Sequence, residues 1–335
     1  MIEPPYSAHS TRYENGMQYR RSGQSGILMS ILSLGMWHNF GASDSFANAQ
    51  KMAHYAFDNG ITSFDLANNY GVPYGSAENT FGRLMEMSFR PYRDELFVTT
   101  KAGHDMWTGP YGNWGSRKHL ISSLDQSLKR MNLEYVDLFY SHRYDPDTPL
   151  EETMQALVDI VHSGKALYVG LSKYPFDAAE KGYAYLRVHD VPCLAYQARL
   201  SLLNQDPIEN GILSQAATQG VGVVAFSSLA QGLLTNRYLD GQIPTDSRMA
   251  HDAFLKKSTL TEKLLTQLNA LQQFAEKRGQ TLAELALTWV LSHPEISSVV
   301  IGASSIAQLQ DNLHTLSYPL LSEEEKTAIS HIIKN

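Results

Sequence analysis

Short apolar runs alternate with amphipathic stretches along almost the whole chain, and that alternation limits the fold more than any other feature. Runs that read as strands fall at 31–34, 62–66, 96–100, 136–141, 166–171, 193–197, 221–227 and 298–301. Between them, stretches such as 48–59, 116–131, 150–163 and 212–219 read as helices. Strands alternating with helices build parallel βαβ units. Eight such units in 335 residues predict an α/β fold of the closed (β/α)8, or TIM barrel, type rather than an open sheet. Gly60, Gly164 and Gly220 each end a helical stretch just before a strand, which predicts C-terminal caps.

Two features go beyond a plain barrel. Met17-Gln18-Tyr19-Arg20, then Ser22-Gly23-Gln24-Ser25-Gly26, then Ile27-Leu28 predicts an N-terminal β-hairpin plugging the barrel's bottom. About seventy residues separate barrel strands 7 and 8, a long insertion with a polar loop at 240–257 and helices at 261–278 and 282–291. Insertions of this length on the catalytic side serve as lids or binding loops. Within it, Leu265, Leu268 and Leu271 fall at helical spacing and read as barrel-facing core. No linker divides the chain, so one domain is expected over 1–335, with 1–15 a flexible N-terminal extension.

With 43% hydrophobic and 18% charged residues, the chain should be globular throughout. A net charge of −7 argues against nucleic-acid and membrane-surface partners. The single cysteine, Cys193, leaves no internal disulfide or Cys-based zinc cluster and reads as a small buried hydrophobe. His38, His104 and His119 lack the close spacing of a barrel metal site, so no metal is expected. No stretch reaches transmembrane length, and Met1-Ile2-Glu3-Pro4-Pro5 does not open a signal peptide. The expected location is cytoplasmic.

Asp65, Lys101 and His142 lie at or just past the C-terminal ends of three strand-like runs, and Tyr70 lies on the loop after the first of them. In a barrel those ends share one face, where catalysis occurs. A phenol releases its proton near pH ~10, and a nearby ammonium lowers that value. Lys101 could supply the ammonium, Asp65 its anion, and His142 a hydrogen bond to a carbonyl oxygen gaining charge. These roles suit protonation of a carbonyl while a hydride arrives, and the hydride needs a cofactor. The Rossmann glycine pattern is missing, since Gly220-Val221-Gly222 lacks a third glycine and precedes a strand. A better phosphate site is Val300-Ile301-Gly302-Ala303-Ser304-Ser305, a strand running into a helix.

Gly60-Ile61-Thr62-Ser63-Phe64-Asp65 with Tyr70-Gly71, Thr100-Lys101, Tyr135-Val136-Asp137-Leu138-Phe139-Tyr140-Ser141-His142 and Val300-Ile301-Gly302-Ala303-Ser304 resembles the aldo-keto reductase superfamily. The likeness covers nearly the whole chain after residue 15. Trp37-His38-Asn39-Phe40-Gly41, Asp105-Met106-Trp107 and Gly109-Pro110-Tyr111-Gly112 resemble its branch of bacterial L-glyceraldehyde 3-phosphate reductases and potassium-channel β subunits. The resemblance implies NADPH/NADP+ extended across the barrel mouth, and a small aldehyde substrate such as L-glyceraldehyde 3-phosphate or methylglyoxal. It implies a catalytic tetrad of Asp65, Tyr70, Lys101 and His142, with Tyr70 the general acid and Asp65 also facing the cofactor.

Ser172 and Gln197 match the grip on the nicotinamide amide. Trp37, Phe226, Ser227, Leu229, Gln231 and Gly232 match the nicotinamide edge and the pyrophosphate loop. Arg248, Gly302, Ser304, Gln308, Asp311 and Asn312 match the adenosine and 2′-phosphate end. The same likeness implies a homo-oligomer, tetrameric or larger.

Trp37, Trp107, Tyr111 and Trp114 read equally as core or loop packing or as walls of the substrate pocket. Arg143 and Lys173 read equally as solvated loop charges or as phosphate contacts, Arg143 being the one beside His142. Two other functions compete with a reductase. One is a nucleotide-sensing regulatory subunit of the channel β type with little turnover. The channel subunits usually carry Trp and Asn where Phe226 and His142 stand, so His142 sides with the enzymes. The other is a Schiff-base lyase with Lys101 as nucleophile.

Overall fold

Eight parallel strands close into a barrel in chain order. The computed structural model describes residues 6–245, 247–251 and 255–334, without the side chains of Arg248 and His251. Strands β1 (Tyr19–Arg21) and β2 (Leu28–Ser30) form an antiparallel hairpin. The barrel runs β3 (Leu32–Gly35), β4 (Ser63–Asp65), β5 (Phe97–Ala102), β6 (Val136–Ser141), β7 (Ala166–Ser172), β8 (Cys193–Arg199), β9 (Gly222–Phe226) and β10 (Ile296–Ile301), with β10 pairing back onto β3.

Helices α1 (Phe46–Asp58), α2 (Ser76–Leu84), α3 (Arg117–Met131), α4 (Leu150–His162) and α5 (Phe176–Val188) follow β3 to β7 in turn. The short α6 (Asp206–Glu209) and α7 (Ile212–Thr218) follow β8. The insertion after β9 carries α8 (Glu262–Lys277) and α9 (Leu282–Leu291), while α10 (Ile306–His314) and α11 (Glu323–Lys334) come after β10. Gly60, Gly164 and Gly220 are left-handed, at φ of 83, 73 and 73°, each between a helix and the next strand. No described helix is long and apolar enough to cross a membrane.

The two-residue period of a strand sorts side chains between barrel interior and helix layer. On β6, Leu138 and Tyr140 turn inward and pack with Leu194 and Val224, and His142 continues the same series past the strand's end. On β5, Phe97 joins that inner cluster, and Lys101 lies 5.8 Å from the Tyr140 ring. Val98, Ala102 and Phe139 belong to the larger core shared with the helices.

The hairpin closes the bottom. Met29 enters the inner cluster. Ser22 Oγ donates to Leu194 O at 3.0 Å, and Gln24 N donates to Gly220 O at 2.9 Å. Gly23 makes this fit possible, because a Cβ there would lie 2.0 Å from Gly220 O. Part of the segment expected to be a flexible extension packs instead. Tyr6 stacks on His54 at 3.8 Å and donates to Asp58 at 2.8 Å, and Arg12 pairs with Glu95. In the insertion, Leu268 and Leu271 are buried and Leu265 is half-buried. Cys193 is buried, and burial pushes its thiol up to about 12.

Candidate active site

The tetrad residues meet at the C-terminal mouth of the barrel. Asp65 is the last residue of β4, and His142 directly follows β6. Lys101 lies inside β5 rather than closing it, because the ladder to β6 continues through Lys101–Tyr140 and Ala102–Ser141 pairs. The loop from β4 to α2 curls Tyr70 back over the mouth. Tyr70 N donates to Ala67 O at 3.0 Å, and its carbonyl accepts from Ala77 N at 3.2 Å. Gly71 allows that curl, since a Cβ would come within 2.4 Å of Ser76 Oγ.

Lys101 Nζ donates to Asp65 Oδ2 at 2.7 Å, to Leu66 O at 2.6 Å and to Tyr70 OH at 3.4 Å. Asp65 Oδ1 accepts from Thr99 Oγ1 at 3.0 Å and from Gln197 Nε2, across the barrel, at 2.8 Å. The carboxylate is therefore held from β5 and β8 together. The His142 ring meets Tyr70 edge-on at 6.0 Å, and the Trp37 ring lies 6.1 Å from that of Tyr70.

Tyr70 is partly buried. Burial, then the Asp65 carboxylate, holds that phenol well above its ordinary value. Burial, rather than the Lys101 ammonium 3.4 Å away, decides the direction of this phenol's shift. Lys101 is fully buried; burial lowers its amine, while Asp65 and then Glu78 oppose that shift. His142 is pushed well below its ordinary value, first by burial and then by Lys101 and Lys173. At neutral pH the mouth thus holds a neutral imidazole beside a protonated phenol.

The candidate cofactor residues line two neighbouring stretches. Ser172 and Gln197 are buried at the ends of β7 and β8, where Ser172 Oγ donates to Gln197 O at 3.1 Å. After Phe226, the loop turns left-handed at Ser227, Ala230, Gln231 and Gly232. The turns are closed by the loop's own bonds, since Ala230 N donates to Ser227 O at 2.8 Å and Gly232 N to Leu229 O at 2.9 Å. Gln231 Oε1 is buried there without a protein partner, an acceptor that a donor group on a bound molecule, such as a ribose hydroxyl, would satisfy. A cavity of about 430 Å³ lies beside this loop, lined by Arg199, Ser201, Gln231 and Leu233 and not by the tetrad.

At the start of α10, Gly302 is exposed, but Ser304 N is already taken by Gln308 Oε1 at 2.8 Å. Asp311 is exposed and Asn312 buried. The side chain of Arg248 lies outside the described residues.

The proposed pocket walls are only partly assembled. Trp37 reaches Tyr70, but Trp107 packs on His119 at 5.0 Å and Tyr111 is exposed. Arg143 donates through Nε to Gly103 O and through Nη2 to Asn113 Oδ1, at 2.8 and 2.7 Å, and lies 3.6 Å over the Trp114 ring. Among the described residues, no group of three or more His, Cys, Asp or Glu could hold a metal ion.

Known proteins match this chain in both sequence and fold. The aldo/keto reductase family model matches residues 31–334. The chain belongs to the aldo/keto reductase family. It is an oxidoreductase by that membership. An L-glyceraldehyde 3-phosphate reductase of Escherichia coli is 50% identical over 97% of this chain and 95% of its own length. A probable voltage-gated potassium channel subunit beta of Arabidopsis thaliana is 33% identical over 95% of this chain and 97% of its own. The holo form of an aldo-keto reductase from Bacillus halodurans superposes with a TM-score of 0.75 at 25% identity, covering 94% and 96% of the two chains.

Two supporting residues of this aldo-keto reductase escaped the sequence reading. Thr99 lies two residues before Lys101, so strand alternation already places it on the same inward face. Glu78 is fully buried on α2, where Thr100 Oγ1 donates to it at 2.6 Å and Arg130 Nε at 2.7 Å. That pairing joins α2, α3 and β5, and nothing local in the sequence announces it.

Proposed function

We propose that the protein reduces short aldehydes to alcohols with NADPH, taking triose phosphate and methylglyoxal, with Tyr70 as proton donor. The observation that carries this reading is the contact of Lys101 Nζ with both Asp65 and Tyr70 OH, beside a neutral His142. Triose phosphate enters through the name of the E. coli relative.

Trp37, Asp65, Ser172, Gln197 and the 226–232 loop would hold the nicotinamide and pyrophosphate. Arg248 and the start of α10 would hold the far phosphate. When bound, the cofactor supplies the hydride. Tyr70 gives its proton to the carbonyl oxygen, a step that requires the phenol to be protonated beforehand. Lys101 stabilises the charge left on the phenol oxygen, and Asp65 keeps Lys101 charged and aimed. A neutral His142 still has one N–H to donate to the carbonyl oxygen as charge develops there. In this reading residues 1–335 act as one domain, working in the cytoplasm on a small molecule and assembling as a homo-oligomer.

The test is NADPH consumption against a panel of phosphorylated and unphosphorylated short aldehydes. Turnover with three-carbon aldehydes is expected. No turnover with any aldehyde would overturn the enzyme reading and favour a regulatory subunit.

A further inference from the structure

Beside His142 the barrel mouth carries a lysine that no carboxylate among the described residues pairs with. Lys173 directly follows β7, in a left-handed backbone at φ 56°. Its Nζ lies 3.3 Å from His104 Nε2 and 5.6 Å from the centre of the Phe226 ring. A lysine has only protons to give, so it donates and His104 Nε2 accepts. The His104 ring in turn meets the His142 ring edge-on at 4.5 Å. Lys173 therefore stands one imidazole away from the candidate catalytic histidine.

Among the described residues, no carboxylate makes an ion pair with Lys173. The charged groups that act on it are Lys101, Arg143 and Arg199, all cations. Arg143 differs, since Asp105 and Asp145 lie near enough to stabilise it, and two of its nitrogens are tied to Gly103 and Asn113. The whole chain is acidic at −7, so this cluster does not follow from a basic composition. An uncompensated ammonium facing other cations is a place where an anion binds favourably. The cofactor-phosphate candidates lie elsewhere, on the loop after β9 and at the start of α10.

We propose that Lys173, held by His104, recognises the terminal phosphate of a three-carbon aldehyde and so sets the preference for phosphorylated substrate. This rests on the reductase reading above, and it moves the phosphate contact from Arg143 to Lys173. A lysine binds phosphate as a point charge, and a charge-assisted contact changes kcat/KM about ten- to a hundredfold.

The experiment measures kcat/KM with glyceraldehyde and with its 3-phosphate for the wild type, Lys173→Met, Lys173→Arg and Arg143→Ala, alongside NADPH affinity by fluorescence. The ratio of the two kcat/KM values should fall about ten- to a hundredfold in Lys173→Met. Lys173→Arg should recover most of it, and Arg143→Ala should change it less than Lys173→Met does. A wild-type preference that survives Lys173→Met overturns the assignment and leaves the reductase reading standing. An unchanged ratio with weakened NADPH binding also overturns it, because Lys173 would then serve the cofactor. A wild type with no preference for the phosphate removes phosphate recognition, and this assignment with it, and favours a general aldehyde reductase.

Discussion

Lys101 Nζ directs its three N–H groups to Asp65, Leu66 and Tyr70, and the residue keeps no exposed surface. Lys101→Met should cut kcat by at least ~10² at every pH from about 6 to 9, because the charge left on Tyr70 loses its ammonium. Near-normal aldehyde reduction across that range would refute the role given to Lys101. Arg248→Ala should raise the KM for NADPH and leave that for NADH nearly unchanged, since a guanidinium favours the 2′-phosphate that NADH lacks. Equal losses with both cofactors would count against the assignment. That Asp65, Tyr70, Lys101 and His142 would meet was readable in the sequence, because strand ends of a barrel share one face. Thr99 was readable by the same alternation, whereas the Lys173–His104 contact joins two loops whose course no periodicity encodes.

The barrel strands follow from their apolar runs, and their ends shift only where cross-strand pairing decides the last residue. Thus β5 extends through Lys101 and Ala102, and β10 begins at Ile296. Segments with no periodic signal, such as the anchored residues 6–14 and the Glu78–Arg130 pair, depend on distant partners and were not legible. The hairpin plug gives a direct test of the bottom of the barrel. Gly23→Ala should cost about 1–3 kcal/mol in urea unfolding, because the new methyl meets Gly220 O. Gly26→Ala, with nothing within 4 Å of its Cβ position, should stay within about 0.5 kcal/mol. Equal effects at the two sites would contradict the packed hairpin.

Across the whole molecule, His54, His104, His119, His142 and His293 are all held below the ordinary histidine value, chiefly by burial. For His104 the value falls from 6.5 to about 4. In that window the unfolded chain binds protons that the folded chain refuses, so stability rises with pH. It should be fully present above about 6.5 and decline as pH falls toward about 4, which Tm measured from pH 7.5 to 4.5 would follow. A flat or rising Tm on acidification would contradict buried neutral histidines. The sharpest test is kcat for aldehyde reduction by Tyr70→Phe, with NADPH affinity measured on the same protein. A loss of at least ~10² with the cofactor still bound is expected, whereas a kcat close to wild type would show that Tyr70 is not the proton donor.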